Sequence, residues 1–200
     1  MPLRERSNNV PLIVLILLAA LGLSCQASGA GNTDQAPNAL QPPQERAVPR
    51  YHPVTAELIA EQASVQPGGQ TRIGVHFDLE PEWHIYAEDP GDAGLPTKIE
   101  WTTSEGATFG PLHWPKAQRF EDPGNIKTNG YTGSLVLYCA LKINAQAPPD
   151  RTLPIRAHVS WLACREVCVP GKADLELSLP VSAKPPVPSP HAELFDQVQD

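Results

Sequence analysis

The chain has 200 residues, with fifteen basic and twenty-two acidic side chains and a formal net charge of −7 at pH 7. That length leaves room for one domain plus processing segments. The acidic balance argues against nucleic acid, whose affinity rests on neutralised phosphates.

Arg4 and Arg6 precede an apolar run, Val10 to Leu23, of the length of a secretory h-region and short for a membrane span. Two exits are open. Ser28 to Ala30 (SGA) offers small residues to a signal peptidase, which makes 1–30 the signal peptide. Leu23 to Cys25 (LSC) has the form of a lipoprotein box with Gly22 in place of the usual branched residue; Cys25 would then carry a lipid anchor, and the leader would end at 24. Either exit places the protein in the periplasm or outside the cell, where disulfides persist. Residues 31–50 are polar and rich in Pro, Gln and Asn, so they cannot bury a core and are expected to form a disordered linker.

From there the pattern is β. Ile73, Val75, Phe77 and Leu79 alternate with polar or small neighbours, and Ile99 and Trp101 repeat the phase. Leu135, Leu137, Cys139, Leu141 and Ile143 share one face. So do Leu153, Ile155, Ala157, Val159 and Trp161, and again Leu175, Leu177, Leu179 and Val181. This is the period of half-buried strands, separated by the turn signals EDPGN, APPD and PGK. The aromatic-bearing middle, Trp83 to Tyr131, alternates poorly and carries prolines unsuited to central strands; it reads as short strands joined by ordered loops. An all-β fold follows, an antiparallel sandwich of immunoglobulin-like type over residues 51–183. A Pro-rich tail, 184–200, opens with KPPVPSP, which should run extended; its last ten residues are read as a helical turn or loose chain.

With Cys25 removed or lipidated, Cys139, Cys164 and Cys168 remain. Cys139 keeps phase with aliphatic residues and reads as a small buried hydrophobe. Cys164 and Cys168 sit four positions apart in WLACREVCVP, near the junction of two strands. Fully extended, they would stand about 13 Å apart, whereas a disulfide wants about 5.5 Å, so pairing requires a turn. A bond there closes only a short loop and stabilises by about 2 kcal/mol. Arg165 beside Cys164 favours a thiolate and Glu166 opposes it. A metal site would want more ligands than His158, the nearest histidine, can add, and the only methionine is Met1. The run Asp89 to Gly94 lacks the ligand series of a calcium loop and reads as a rigid turn. No cofactor motif is present. Structural staple and redox switch both remain open on spacing alone.

Four separated segments then carry a resemblance: WHIYAEDPGDAGLPTKIEW, GPLHWPKAQRF, NGYTGSLVLY and WLACREVCVPGKADLELSLPV. Together, from about Ala56 to Val181, they resemble the periplasmic N-terminal domain of DsbD-type thiol:disulfide interchange proteins. The resemblance implies an immunoglobulin-like sandwich and thiol-disulfide exchange through a catalytic pair, here Cys164 and Cys168, with no cofactor and no metal. It sets Tyr86 near an aromatic that lines the family's site, and makes Arg119 to Asn125 the candidate for the family's protective cap loop. The implied partners are thioredoxin-like or other periplasmic thiol proteins. No multi-helix membrane segment or thioredoxin-like domain follows residue 181 in this sequence, so a separate membrane electron donor is expected, with this domain a component of a protein-disulfide reductase. The type member spaces its cysteines more widely than C-x3-C, so loop geometry and potential are expected to differ. Of the pair, Cys164 is expected to attack because of Arg165. The competing reading is a non-catalytic secreted binding module with a structural disulfide.

Overall fold

The computed structural model describes residues 52–104, 106–122 and 124–197. The leader, the Cys25 anchor and the 31–50 linker lie outside the described residues.

Ten strands and one short helix follow in order: β1 (Val54–Ala60), β2 (Gln70–Leu79), β3 (His84–Gly91), β4 (Lys98–Thr103), β5 (Ala107–His113), β6 (Gln118–Asp122), β7 (Ile126–Thr132), β8 (Ser134–Ile143), β9 (Arg151–Cys164), β10 (Cys168–Val181) and α1 (Ala192–Asp196). They form two sheets, one ordered β1-β2-β8-β5 and one ordered β10-β9-β3-β7-β6, with β4 continuing along β9 beyond β3. All these strand pairs are antiparallel. The expected immunoglobulin-like sandwich is what the chain forms.

The alternating residues meet between the sheets. Ile73, Val75 and Phe77 from β2, Leu137, Cys139 and Leu141 from β8, and Ile155, Ala157 and Val159 from β9 are all essentially inaccessible to solvent. Burial at this density is the main stabilising contribution. Leu175 and Leu177 of β10 are half-buried against the same core, because β10 is an edge strand. Cys139, 1% exposed, fills the core as its phase required, and burial pushes its thiol up to about 12.

Two features were not legible in the alternation. Strand β1 buries both Leu58 and its neighbour Ile59, which point to opposite faces. Ile59 belongs to a second cluster with Val136 and Phe195, on the outer side of the first sheet. The tail supplies the cover: Pro188 bridges to Gln62, and Ala63 and Ser189 exchange backbone hydrogen bonds with Val187 and Glu61. Helix α1 then lays Phe195, 1% exposed, over Ile59 and Val136. The Pro-rich segment thus runs against the sandwich, and Arg72 clamps its end by donating to the Phe195 carbonyl (3.0 Å) and to the Glu61 carboxylate (2.8 Å).

Candidate functional site

Strands β9 and β10 form a long hairpin whose fourteen register pairs run from Arg151↔Val181 to Cys164↔Cys168. The two cysteines are therefore direct cross-strand partners flanking the three-residue turn Arg165, Glu166, Val167. Their Cα atoms lie 4.1 Å apart and a disulfide joins them. The turn that pairing required is present, closed by a hydrogen bond from Arg165 N–H to the Val167 carbonyl (3.2 Å).

Strand phase decides which way the sulfurs face. Ala157, Val159, Trp161 and Ala163 point into the sandwich; Cys164, one step out of phase, points to the outer face of the second sheet. It is nonetheless only 3% exposed. The cover comes from far away in sequence. His84 of β3 pairs in register with Cys164, so His84, Cys164 and Cys168 share one row across three strands. Tyr86, two residues on and on the same face, donates its hydroxyl hydrogen to Cys164 Sγ at 3.2 Å. Phe120 of β6 stacks on the His84 ring (centroids 4.7 Å, interplanar angle 16°), and His84 meets Tyr86 edge to face. The Arg119 to Asn125 region thus reaches the site through Phe120.

The loop after β3 holds Tyr86 in place. Asp89 accepts from the Gly91 N–H (3.0 Å) and Asp92 from the Lys127 N–H (2.9 Å), so DPGDAG is a rigid turn. Gly94 has φ +103°, and a Cβ there would fall 2.3 Å from the Tyr86 ring. Only glycine permits both the backbone and the approach.

The pair is chemically unequal. Cys164 is shielded, while Cys168 is exposed, as are the three turn residues. The expectation that Cys164 attacks rests on Arg165, whose side chain has other neighbours in this arrangement. The Arg165 guanidinium lies over the Trp83 ring at 5.3 Å and reaches Glu82 at 3.7 Å, so its charge is engaged by those neighbours. The local feature that favours a thiolate at Cys164 is the Tyr86 hydroxyl, which sequence spacing alone could not bring there. The accessible sulfur belongs to Cys168.

His158 sits farther down the hairpin, on the outer face, with its Nδ1 2.6 Å from an Asp174 carboxylate oxygen. Among the described residues no three metal-ligating side chains converge.

Comparison with known proteins gives the family and the fold. The sequence profile of "Thiol:disulfide interchange protein DsbD, N-terminal" matches residues 54–180. No curated protein sequence matches the chain. Among solved structures, the N-terminal periplasmic domain of ScsB from Proteus mirabilis is similar in fold, with a TM-score of 0.55 and 24% identity; the match covers 76% of this chain and 55% of that one. The chain therefore spans about half the length of that relative. A reduced DsbD N-terminal domain from Neisseria meningitidis matches with a TM-score of 0.35 and 17% identity, over 66% of this chain and 89% of that one.

Proposed function

The chain belongs to the family of DsbD N-terminal thiol:disulfide interchange domains, and from that premise we propose that Cys164 and Cys168 form a redox-active pair that relays electrons between partner thiol proteins. The observation that supports this best is the inequality of the pair: one sulfur exposed at a hairpin tip, the other buried under a hydroxyl donor. An incoming thiolate attacks Cys168 Sγ, a new S–S bond forms to the partner, and the bond to Cys164 breaks with the electron pair leaving on Cys164. A second thiolate on the partner then attacks the mixed disulfide, so that the domain takes up two electrons and the partner is left oxidised. Run in reverse, the reduced domain attacks a client disulfide through Cys168, and Cys164 resolves it.

The partners are thioredoxin-like or other periplasmic thiol proteins, with a separate membrane protein as electron donor. The domain works in the periplasm, carried there by the 1–30 leader or held at the membrane through a lipid on Cys25. The linker 31–50 gives reach, the 51–183 sandwich holds the site, and the tail of 184–200 braces it through its described residues, 184–197. Among the described residues no helix is long and apolar enough to cross a membrane.

The test is redox equilibrium. In glutathione buffers, followed by alkylation mass shift, the pair should be half-reduced at a potential above about −300 mV; a value well below that marks an inert structural bond and sinks the relay. Trapping locates the attacker. Cys164→Ala should accumulate mixed disulfides through Cys168, and accumulation only with Cys168→Ala would reverse the roles.

A further inference from the structure

Along the β9–β10 hairpin, beginning two residues from Cys168, lies an open groove of about 520 Å³. Its walls are Leu95 and Pro96 from the β3–β4 loop, Trp161 of β9 and Pro170 of β10, and Lys98 and Lys172 also line it. The hairpin register fixes where each part stands relative to the reactive sulfur. Pro170 is two residues from Cys168 on the same face of β10, so the apolar part begins about 7 Å away. Lys172 is four residues from Cys168, about 14 Å away. Lys98 and Lys172 both flank Ser160 in register, which puts their Cα atoms about 10 Å apart across β9.

The groove has features that folding does not require. Leu95 is 63% exposed, although a loop position so close to Tyr86 could carry a polar residue at no cost to the core. Val167, at the hairpin tip beside Cys168, is 65% exposed. Both lysines are exposed, and neither is in an ion pair among the described residues. The next row along the sheet holds Glu100 and Asp174, of which Asp174 is bonded to His158. In a chain of net charge −7, a pair of uncommitted lysines at the end of an apolar trough favours a negatively charged occupant.

We infer that this groove is the docking surface for the partner's reactive-cysteine region, and that it selects a partner with an apolar side chain about 7 Å, and a carboxylate about 14 Å, from the reacting sulfur. The inference rests on the relay reading, since it places the partner's sulfur at Cys168. The apolar side chain packs against Leu95, Pro96 and Pro170, and the carboxylate is taken between Lys98 and Lys172. Exchange itself stays as written above: the partner's thiolate bonds to Cys168 Sγ and Cys164 leaves.

The probes are capped pentapeptides in which a cysteine, a leucine and a glutamate alternate with serines, made in both chain directions, with matched peptides carrying lysine in place of glutamate. The oxidised domain is mixed with each reduced peptide at low ionic strength, and opening of the Cys164–Cys168 bond is timed by alkylation. The glutamate peptide should react about tenfold faster than the lysine peptide, with the ratio falling as salt is added. In Lys98→Glu/Lys172→Glu the preference should invert in favour of the lysine peptide. Leu95→Ser should narrow the rate advantage of leucine over a serine replacement in the peptide. A double variant whose glutamate-to-lysine ratio equals that of the natural sequence overturns the groove assignment. β-Mercaptoethanol on the unmodified domain separates the two failures: if this small neutral thiol also leaves the bond closed at redox equilibrium, the relay reading itself falls.

Discussion

The Tyr86 hydroxyl reaches one sulfur of the pair, Cys164, at 3.2 Å. A hydrogen bond donated to a thiolate favours the charged form, so Tyr86→Phe should leave less thiolate at Cys164 at a given pH in the reduced domain. Thiolate absorbance against pH in a Cys168→Ser background measures this; an unchanged titration removes Tyr86 from the mechanism. Burial acts the opposite way on Cys139, pushed up to about 12, and on Tyr131, also held near 12, where burial and the Glu88 carboxylate favour the neutral phenol. Both are acids whose folded pKa lies above the unfolded one, so the fold keeps protons that the unfolded chain loses first. Their contribution to stability is therefore complete below about pH 9 and falls from about pH 9 to about pH 12, each group adding up to about 1.4 kcal/mol per pH unit. Urea unfolding of the oxidised domain at pH 8 and pH 11 should show the loss, and Cys139→Ala should reduce its slope.

Element by element, the site is a hairpin tip dressed by its neighbours, and the tail is a strap held by backbone bonds to residues 61–63, by Phe195 and, at its end, by Arg72. Arg72 of β2 bonds Glu61 and Asp196 at 2.8 and 2.6 Å and lies over the Tyr138 and Phe195 rings at 5.7 and 5.4 Å. Its guanidinium holds the Glu61 carboxyl below the usual range, hydrogen bonding being the largest cause. Arg72→Met keeps the stem but loses these partners, and should cost about 1–2 kcal/mol. More telling, limited proteolysis should cut between residues 184 and 191 far sooner than in the natural chain; equal protection would mean that the backbone bonds and Phe195 hold the tail without Arg72. Because the Glu61 pKa is depressed in the fold, its contribution is present above the carboxylate range and lost as pH falls through it. The variant should lose that part of the acid sensitivity.

For the molecule as a whole, the question is whether the disulfide is needed for the fold. The bond closes a loop of only five residues, which is worth about 2 kcal/mol at most by chain entropy. The same two strands are joined by fourteen register pairs, and Ile155, Ala157, Val159 and Leu179 anchor them in the core. Opening the bond therefore leaves the hairpin zipped. The reduced domain should keep its far-UV and near-UV circular dichroism and unfold cooperatively, with stability lower by about 2 kcal/mol or less. Loss of near-UV signal on reduction would make the bond a structural staple and favour the binding-module reading.

The sequence by itself determined the sandwich and the identity of the pair. Alternation in β2, β8, β9 and β10 marks one buried face per strand, and that face has nowhere to go except against a second sheet. It could not place β1 or the tail, because Ile59 and Val136 sit on the outer face and read as breaks in the pattern until Phe195 covers them. It also offered only Arg165 as a ground for choosing an attacker, whereas the role proposed for Cys168 rests on exposure. Adjacency to Arg165 is a local signal, whereas accessibility and the hydroxyl donor come from Tyr86, His84 and Phe120, brought in from β3 and β6. Strand pairing between distant segments is set by the packing of both sheets together, so only the tertiary structure decided that Cys164 is sheltered and Cys168 is exposed.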